Sequence, residues 1–541
     1  MANKKQRTIV ILGGAQSGPT AAARARETDE HANIVLLERA DEISTAAAGL
    51  AYHLSGEVTA LSALSRETPE MFRDVYRIDV RLGTEVTAID AKRRVLEVGG
   101  APLGYDSLVF ALGAESRVPE PLAVANNVFR FRTLSDITAI VERLDAGKKR
   151  VAILGGGFFG VEAADGLLRR QAEVVVVESS SRILGDFAPF VSTLATESLS
   201  AMGARIVTGA KLARPQFSGD EVSALVLESG ERIAVDFVIV AVGVTPRTDL
   251  LKIAGAKLLS DGSVAVDARM RTSLAGVYAC GVCAGIEHAV TGKRAAIAQA
   301  SIADKTAQIA GANAAGDKLK MAPVLGTAIV RAGDIACGRT GLPHDAVTKS
   351  VAMTRVHAQS HDDWFPGSSP ISIELRHDDK TGRLLGADLA GTRGVDKRVD
   401  VLATALLGRL SVFDLADIDL AYAPPFSAAR DPVNVAATVA FSGRARGIRS
   451  IAPSELARAR GEVVVVDVRR RGGPPLTGAT AIPLAALRAR LHELPVDKGI
   501  VFVDDAGRGG YLAACIAEQH GRDAAYLSGG LRSMALERGA E

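Results

Sequence analysis

The sequence predicts an α/β protein organised around two Rossmann-like dinucleotide-binding folds, and two glycine fingerprints carry that prediction. Gly13-Gly14-Ala15-Gln16-Ser17-Gly18 follows the apolar run Thr8–Leu12, and Gly155-Gly156-Gly157-Phe158-Phe159-Gly160 follows the apolar run Val151–Leu154. Each opens an alanine-rich, helix-like stretch. Each is followed by an acid at the end of another β-like run: Glu38 after Asn33–Leu37, and Glu178 after Glu173–Val177. Strand, glycine turn, helix and distal acid together make a weak pattern specific. The glycines let the backbone approach a pyrophosphate, the helix N-terminus stabilises its charge, and the acid holds a ribose diol. Two such units predict two dinucleotides side by side, an arrangement for passing electrons between them. Composition is the third observation: 541 residues, 48% apolar but only 4% aromatic, predict three or more domains with aliphatic cores.

Residues 1–115 read as a first nucleotide-binding segment, closed by the strand-like Tyr105–Phe110 and the small-residue turn Ala111-Leu112-Gly113-Ala114. Residues 116–250 read as the second nucleotide fold, closed similarly by Asp236–Val242 and Gly243. Residues 251–320 return to the first fold through Val277–Val282. Residues 321–443 read as α+β, with a strand at Ile371–Leu375 and a helix at Arg398–Leu410. Arg444–Arg449 reads as a short basic linker, and 450–541 as a small α/β unit that begins with Val463–Arg469.

Lys and Arg number 64 against 62 Asp and Glu, a balance that gives no support for nucleic acid or an anionic membrane as partner. No apolar run approaches the length of a membrane span. Met1–Lys5 leads directly into the first strand and leaves no room for a signal peptide, so the expected location is the cytoplasm. Four cysteines do not make a disulfide framework in a chain of this length. No second cysteine pair or histidine cluster stands at zinc spacing, so no metal site is expected.

Several further stretches carry a family likeness. Gly49-Leu50-Ala51-Tyr52, Thr68–Phe72, Asp267–Ser273, Gly394–Leu402, Asp419–Ser427 and Asp431-Pro432-Val433-Asn434 resemble segments of the flavoprotein pyridine nucleotide–disulfide oxidoreductases. The nearest likeness is to the coenzyme A disulfide reductases that carry a C-terminal rhodanese domain. The resemblance implies an FAD-binding domain from 1–115 and 251–320, and an NAD(P)H-binding domain from 116–250. It further implies an α+β dimerisation domain from 321–443 and a C-terminal rhodanese-like α/β domain from 450–541, in a homodimer.

Fingerprint and resemblance together assign FAD to Gly13, Gly14, Ala15, Gln16, Ser17, Gly18, Glu38, Arg39, Ala111, Gly113, Gly281 and Val282. They assign NADH to Gly155, Gly157, Phe158, Phe159, Gly160, Glu162, Glu178 and Gly243. Glu178 favours NADH over NADPH, because a carboxylate repels a 2′-phosphate; Arg182, four residues on, weakens that preference. Glu162 resembles the family glutamate near the nicotinamide, or else is a first-turn acid that complements the helix dipole. Phe159 either gates the nicotinamide pocket or packs against the sheet.

The resemblance also shows what is missing. The family's redox cysteine lies immediately before the Gly-Leu-Pro-Tyr segment, where this chain has Ala48; a methyl group cannot replace a thiolate in disulfide exchange. The family's two tyrosine acids, supplied by the partner subunit, match Trp364 or Phe365 and Phe426. The rhodanese cysteine should open the loop after Ile500–Val503, and Asp504 stands there. The family's Gly-Asp pair, whose carboxylate bonds the flavin ribityl chain, is Gly281-Val282. Losing that hydrogen bond costs roughly 1.5–3 kcal/mol. Gln16 occupies the slot where related NADH oxidases and peroxidases have a histidine, so peroxide chemistry is not expected.

These replacements read as a repurposed, apolar substrate site formed by Ala48, His53, His361, Trp364, Phe365 and Phe426. His53 and His361 are candidate proton donors, or else surface and packing histidines. The expected function is an FAD-dependent NADH oxidoreductase that reduces a small-molecule acceptor without a cysteine relay: a quinone, an enone or enoyl thioester, or dioxygen, with a CoA-linked acceptor resting on the resemblance alone. The tail would dock a protein partner, and its Asp504–Gly509 loop could hold an anion on backbone amides although Asp504 and Asp505 oppose this. Two alternatives stand beside it: a non-catalytic nucleotide-binding sensor or scaffold, and a thiol or persulfide reductase using Cys280 and Cys283.

Overall fold

The computed structural model describes residues 6–65, 67–459, 461–470 and 476–538. The segment Met1–Lys5, read above as a direct lead into the first strand, lies outside them. The chain divides into two compact units. One runs up to Val177 and includes Gly203–Val324; the other comprises Glu178–Met202 and the chain from Leu325 onward.

The first unit alternates short, largely apolar strands with helices, the pattern that produces parallel sheets covered on both faces. Its first sheet runs Val277–Ala279, Ser107–Phe110, Thr8–Leu12, Asn33–Leu37, Ile78–Arg81, all parallel. The second runs Arg205–Val207, Glu173–Val177, Arg150–Leu154, Phe237–Val240, Val128–Phe129, also parallel. In each sheet the strand that precedes a glycine fingerprint is central. Its neighbours come from chain segments that leave in opposite directions, so a crevice opens at its carboxyl end, where such sheets bind ligands. Thr8–Leu12 and Arg150–Leu154 are buried almost throughout, which fixes the backbone from which each turn projects.

The second unit holds a five-stranded antiparallel sheet in the order Ala328–Ala332, Ile335–Gly341, Leu384–Gly391, Pro370–Asp378, Val351–Gln359. Helix Val395–Leu407 packs on it. Arg398 in that helix donates to Asp431 from Nε (3.0 and 3.2 Å) and from Nη2 (2.9 Å), with both side chains buried. The tail forms a parallel sheet in the order Arg449–Ile451, Ala524–Leu527, Ile500–Val503, Val464–Asp467, Thr480–Ala481. The tail is fastened to strand Val351–Gln359: Arg355 donates from its backbone N–H to Ser528 Oγ (2.8 Å) and from its guanidinium to Glu537 (2.8 Å), and His357 Nε2 bonds Ser533 Oγ (2.9 Å).

Arg444–Arg449 is not a linker. Helix Pro432–Arg446 continues to Arg446, Gly447 ends it with φ +65°, and Arg449 already begins a strand. Arginine is a good helix former, so a basic run alone does not stop a helix, whereas a left-handed glycine does.

Candidate functional site

The first fingerprint builds a tight cradle. Gly13 adopts φ +104°, and a Cβ there would sit 2.5 Å from the Ala111 carbonyl oxygen. A Cβ on Gly18 would overlap the Gly13 carbonyl, so helix Ser17–Thr28 starts directly against the turn. No side chain caps that helix and no acid occupies its first turn. By contrast, Leu134–Asp145 carries a full capping box from Thr133 and Asp136. The uncapped amides are free to receive an anion. Glu38, half-buried, accepts hydrogen bonds from the backbone N–H of Gly14 (2.5 Å) and Ala40 (2.8 Å), which holds its carboxylate at the turn. Gln16 donates to the Ala300 carbonyl (3.2 Å), Gly113 turns with φ +63°, and Arg39 is exposed beside Glu85.

Gly281 closes on this cradle from the returning segment 251–320. It has φ +74°, and a Cβ there would lie 2.5 Å from Ser17 Oγ; its N–H donates to Thr306 Oγ1 (2.9 Å). Val282 follows, half-buried, in the turn Gly281–Cys283. The glycine turn, the uncapped helix and Glu38 fit the adenosine diphosphate portion of FAD. Val282 offers no acceptor for the ribityl chain. Val282→Asp is therefore expected to slow FAD loss on dilution by about tenfold or more, read from the fluorescence of released flavin.

The second fingerprint repeats the construction. Gly155 has φ +99° and a Cβ would overlap the Ala241 carbonyl; a Cβ on Gly160 would overlap the Gly155 carbonyl. Helix Phe158–Arg169 again lacks a side-chain cap and a first-turn acid. Phe158 and Phe159 are half-buried, and Gly243 turns with φ +101° at the end of the neighbouring strand. Glu178 accepts from Ser180 N–H (2.7 Å) and Ser179 Oγ (3.3 Å).

Glu162 lies beyond the first turn of its helix, which removes the reading of an acid that complements the dipole. Burial, reinforced by the charge of Asp165, pushes its carboxyl up to about 7. A folded-state value above the unfolded one means that stability is fully present below about pH 4.5 and is lost as pH rises through 7. The full shift corresponds to about 3 kcal/mol, and partial water access lowers it to about 2. Glu162→Gln should thus be more stable than the parent at pH 8 by about that amount, and equal to it at pH 4, in chemical denaturation.

The residues assigned to the substrate site fall in both units. Ala48 is exposed in the turn Ala47–Gly49, just before helix Leu50–Leu54, and His53 Nδ1 bonds the Val58 carbonyl (2.8 Å); both belong to the first unit. In the second unit Trp364 and Phe426 are 68% and 72% exposed. Trp364 meets Phe365 edge-on at 6.1 Å between ring centroids, and Phe365 meets His361 at 5.8 Å. His361 does not suit a proton donor: it is buried, Nδ1 bonds Ser360 Oγ (3.1 Å) and Nε2 faces the Pro366 carbonyl (3.4 Å). It shapes the loop that displays Trp364. The sequence reading missed Tyr422, whose hydroxyl donates to Asp362 (2.8 Å) and ties the segment before Phe426 to that loop.

No thiol is accessible. All four cysteines are buried and unpaired. Burial drives the Cys280 thiol well up and Cys283 to about 11, and Cys283 Sγ donates to the Cys280 carbonyl (3.1 Å). The Asp504–Gly509 loop does not leave its amides open to an external anion. The Asp504 carboxylate itself accepts from Gly507 N–H (2.6 Å) and Gly509 N–H (2.8 Å) at the start of helix Arg508–Glu518. Among the described residues no group of metal-ligating side chains is assembled, and no helix is long and apolar enough to cross a membrane.

A family model described as pyridine nucleotide-disulphide oxidoreductase matches residues 7–304. An NADH oxidase of Methanocaldococcus jannaschii is 29% identical over 440 residues, which cover 79% of this chain and 97% of that protein. In fold, reduced Bacillus anthracis CoADR-RHD superimposes with a TM-score of 0.94 at 30% identity, over 98% of each chain. The NAD-dependent persulfide reductase from A. fulgidus follows with a TM-score of 0.90 at 30% identity, over 97% of this chain and 99% of that one.

Proposed function

The chain belongs to the pyridine nucleotide-disulphide oxidoreductase family, and from that premise we propose that it is an FAD-dependent NADH oxidoreductase whose acceptor is reduced without a cysteine relay. FAD, when bound, supplies the chemistry of taking up hydride equivalents from a nicotinamide and passing them on. Residues 1–115 and 251–320 hold it, chiefly through the amides behind Gly13–Gly18 and through Glu38. Residues 116–250 hold the pyridine nucleotide, with Glu178 set against a 2′-phosphate and Glu162 beside the nicotinamide. Residues 321–443 pair two copies, and the exposed rings of Trp364 and Phe426 are the surfaces that a second copy covers. The tail is a docking module without sulfur transfer, because Asp504 replaces the nucleophile and fills its own loop.

One observation carries this reading: every thiol of the chain is buried, while Ala48, where the family keeps its redox cysteine, is exposed. A buried, protonated thiol is a poor nucleophile. The positions that the family likeness matches to its redox cysteine and tyrosine acids, Ala48, Trp364, Phe365 and Phe426, carry only apolar side chains, which suits a quinone, an enone or enoyl thioester, or dioxygen as acceptor. The test is steady-state NADH oxidation with a quinone, an enoyl thioester and dioxygen, in the parent and in a Cys280→Ser, Cys283→Ser variant. Equal turnover in both supports direct reduction of the acceptor. Loss of turnover in a variant that still holds flavin establishes the thiol reductase instead.

A further inference from the structure

The second unit contains a cavity of about 450 Å³ that none of the roles above uses. That volume lies within the roughly 300–1,000 Å³ of small-molecule sites. Arg182 brings the segment after Glu178 to its wall, His344 brings the antiparallel-sheet region, and Ser454 and Glu537 bring the tail. Two opposite charges on this wall keep hydrogen-bonding capacity in hand. Arg182 uses only Nη2, which donates to the Gly185 carbonyl (2.9 Å) and to both oxygens of Asp345 (3.1 and 3.4 Å). Its Nε is buried without a partner, and among the described residues nothing accepts from Nη1. Asp345 is 68% exposed, so water screens that pair. Glu537 accepts from Arg355 through Oε1 (2.8 Å) and has no partner for Oε2 among the described residues. Arg355, in contrast, is committed to Glu374 (2.6 Å) as well as to Glu537.

This pairing of charges selects the kind of molecule that fits. A lone anion drawn to Arg182 meets Glu537 on the same wall, and a lone cation drawn to Glu537 meets Arg182. A molecule that carries both charges satisfies both groups at once. Met353 and Pro189 add apolar surface for the carbons that join the two ends. His344 directs Nδ1 to Glu374 (3.0 Å) and leaves Nε2 without a partner, so the ring can add a neutral hydrogen bond. We propose that this cavity binds a small zwitterion of the amino-acid class, whose carboxylate accepts from Arg182 and whose ammonium donates to Glu537. The site is independent of the NADH reading, since it holds neither nucleotide nor acceptor. A ligand there touches the segment after Glu178 and the tail together, and so adds to the ties that Arg355 and His357 make between sheet and tail.

The test is calorimetric titration of the full-length, flavin-loaded protein at low ionic strength with glycine, β-alanine, γ-aminobutyrate and ε-aminohexanoate. Each is compared with the carboxylate and the alkylamine of the same chain length. At least one of the four should bind about tenfold or more tighter than both of its singly charged counterparts, the effect of one further hydrogen bond between charged groups. This comparison is made in the parent protein and needs no variant. Arg182→Gln and Glu537→Gln should each reduce that affinity about tenfold or more; the glutamine at 537 keeps an oxygen for Arg355. Absence of binding by all four overturns the proposal, as does a carboxylate or an amine that binds as tightly as the zwitterion. Affinity unchanged in both variants overturns it equally, because the ligand then lies elsewhere.

Discussion

Gly160→Val is expected to retain its flavin yet be reduced by NADH at least about a hundredfold more slowly, a loss of roughly 3 kcal/mol of transition-state stabilisation. The reason is local. A Cβ at this position would overlap the Gly155 carbonyl, and Gly155 is itself pinned by φ +99° and by contact with the Ala241 carbonyl. Neither residue can yield, so the helix N-terminus must lift away from the turn. That separates the uncapped amides from the place where a pyrophosphate would lie. Gly18→Val puts the same strain on the first cradle and should give protein without flavin. The pair of variants therefore distinguishes the roles of two turns that look alike, by absorbance of bound flavin and by the rate of its bleaching.

Glu374→Ala is expected to destabilise the second unit by about 3–5 kcal/mol, the cost of leaving buried charges unpaired. Glu374 accepts from Arg355 (2.6 Å), Arg376 (3.0 Å) and His344 (3.0 Å), and all but His344 are buried. Burial would raise its carboxyl, but Arg355 and His344 reverse this and hold it well below the usual range. A depressed value means that the stabilisation is present above about pH 4.5 and is lost only as the solution becomes strongly acid. Because Arg355 also bonds Ser528 and Glu537, the tail should loosen with it. A fall of about 10 °C in melting temperature, with new proteolytic cleavage in the tail, is the expected result. Glu374→Gln keeps some of the hydrogen bonds and should fall between.

The strands Thr8–Leu12, Asn33–Leu37, Glu173–Val177 and Ile500–Val503 were legible residue by residue, because an unbroken apolar run bounded by glycine or acid leaves a parallel strand little choice of limits. The glycine turns were legible for a related reason: close backbone approach admits only one residue type. What escaped is set by contacts distant in sequence. That Asp504 had displaced a nucleophile was readable, but that its carboxylate folds back onto Gly507 and Gly509 was not. The burial of His361 depends on Ser360 and Pro366 closing around it. Tyr422 was overlooked because its partner, Asp362, lies in another loop. Arg182 was visible as a complication, whereas its ion pair with Asp345 (3.1 Å) joins residues far apart along the chain and leaves no local signal.

The central claim is that electrons reach the acceptor without a thiol relay, and an anaerobic reductive titration of the flavin-loaded protein with NADH tests it most directly. Flavin takes two electrons, and a redox-active cysteine pair that entered the titration as a disulfide would take two more on its reduction to two thiols. The account predicts that bleaching is complete at one equivalent of NADH per flavin and that no further NADH is consumed, with the free thiol content unchanged throughout. Consumption of a second equivalent, accompanied by the appearance of new thiols, would contradict it and restore a cysteine relay to the mechanism.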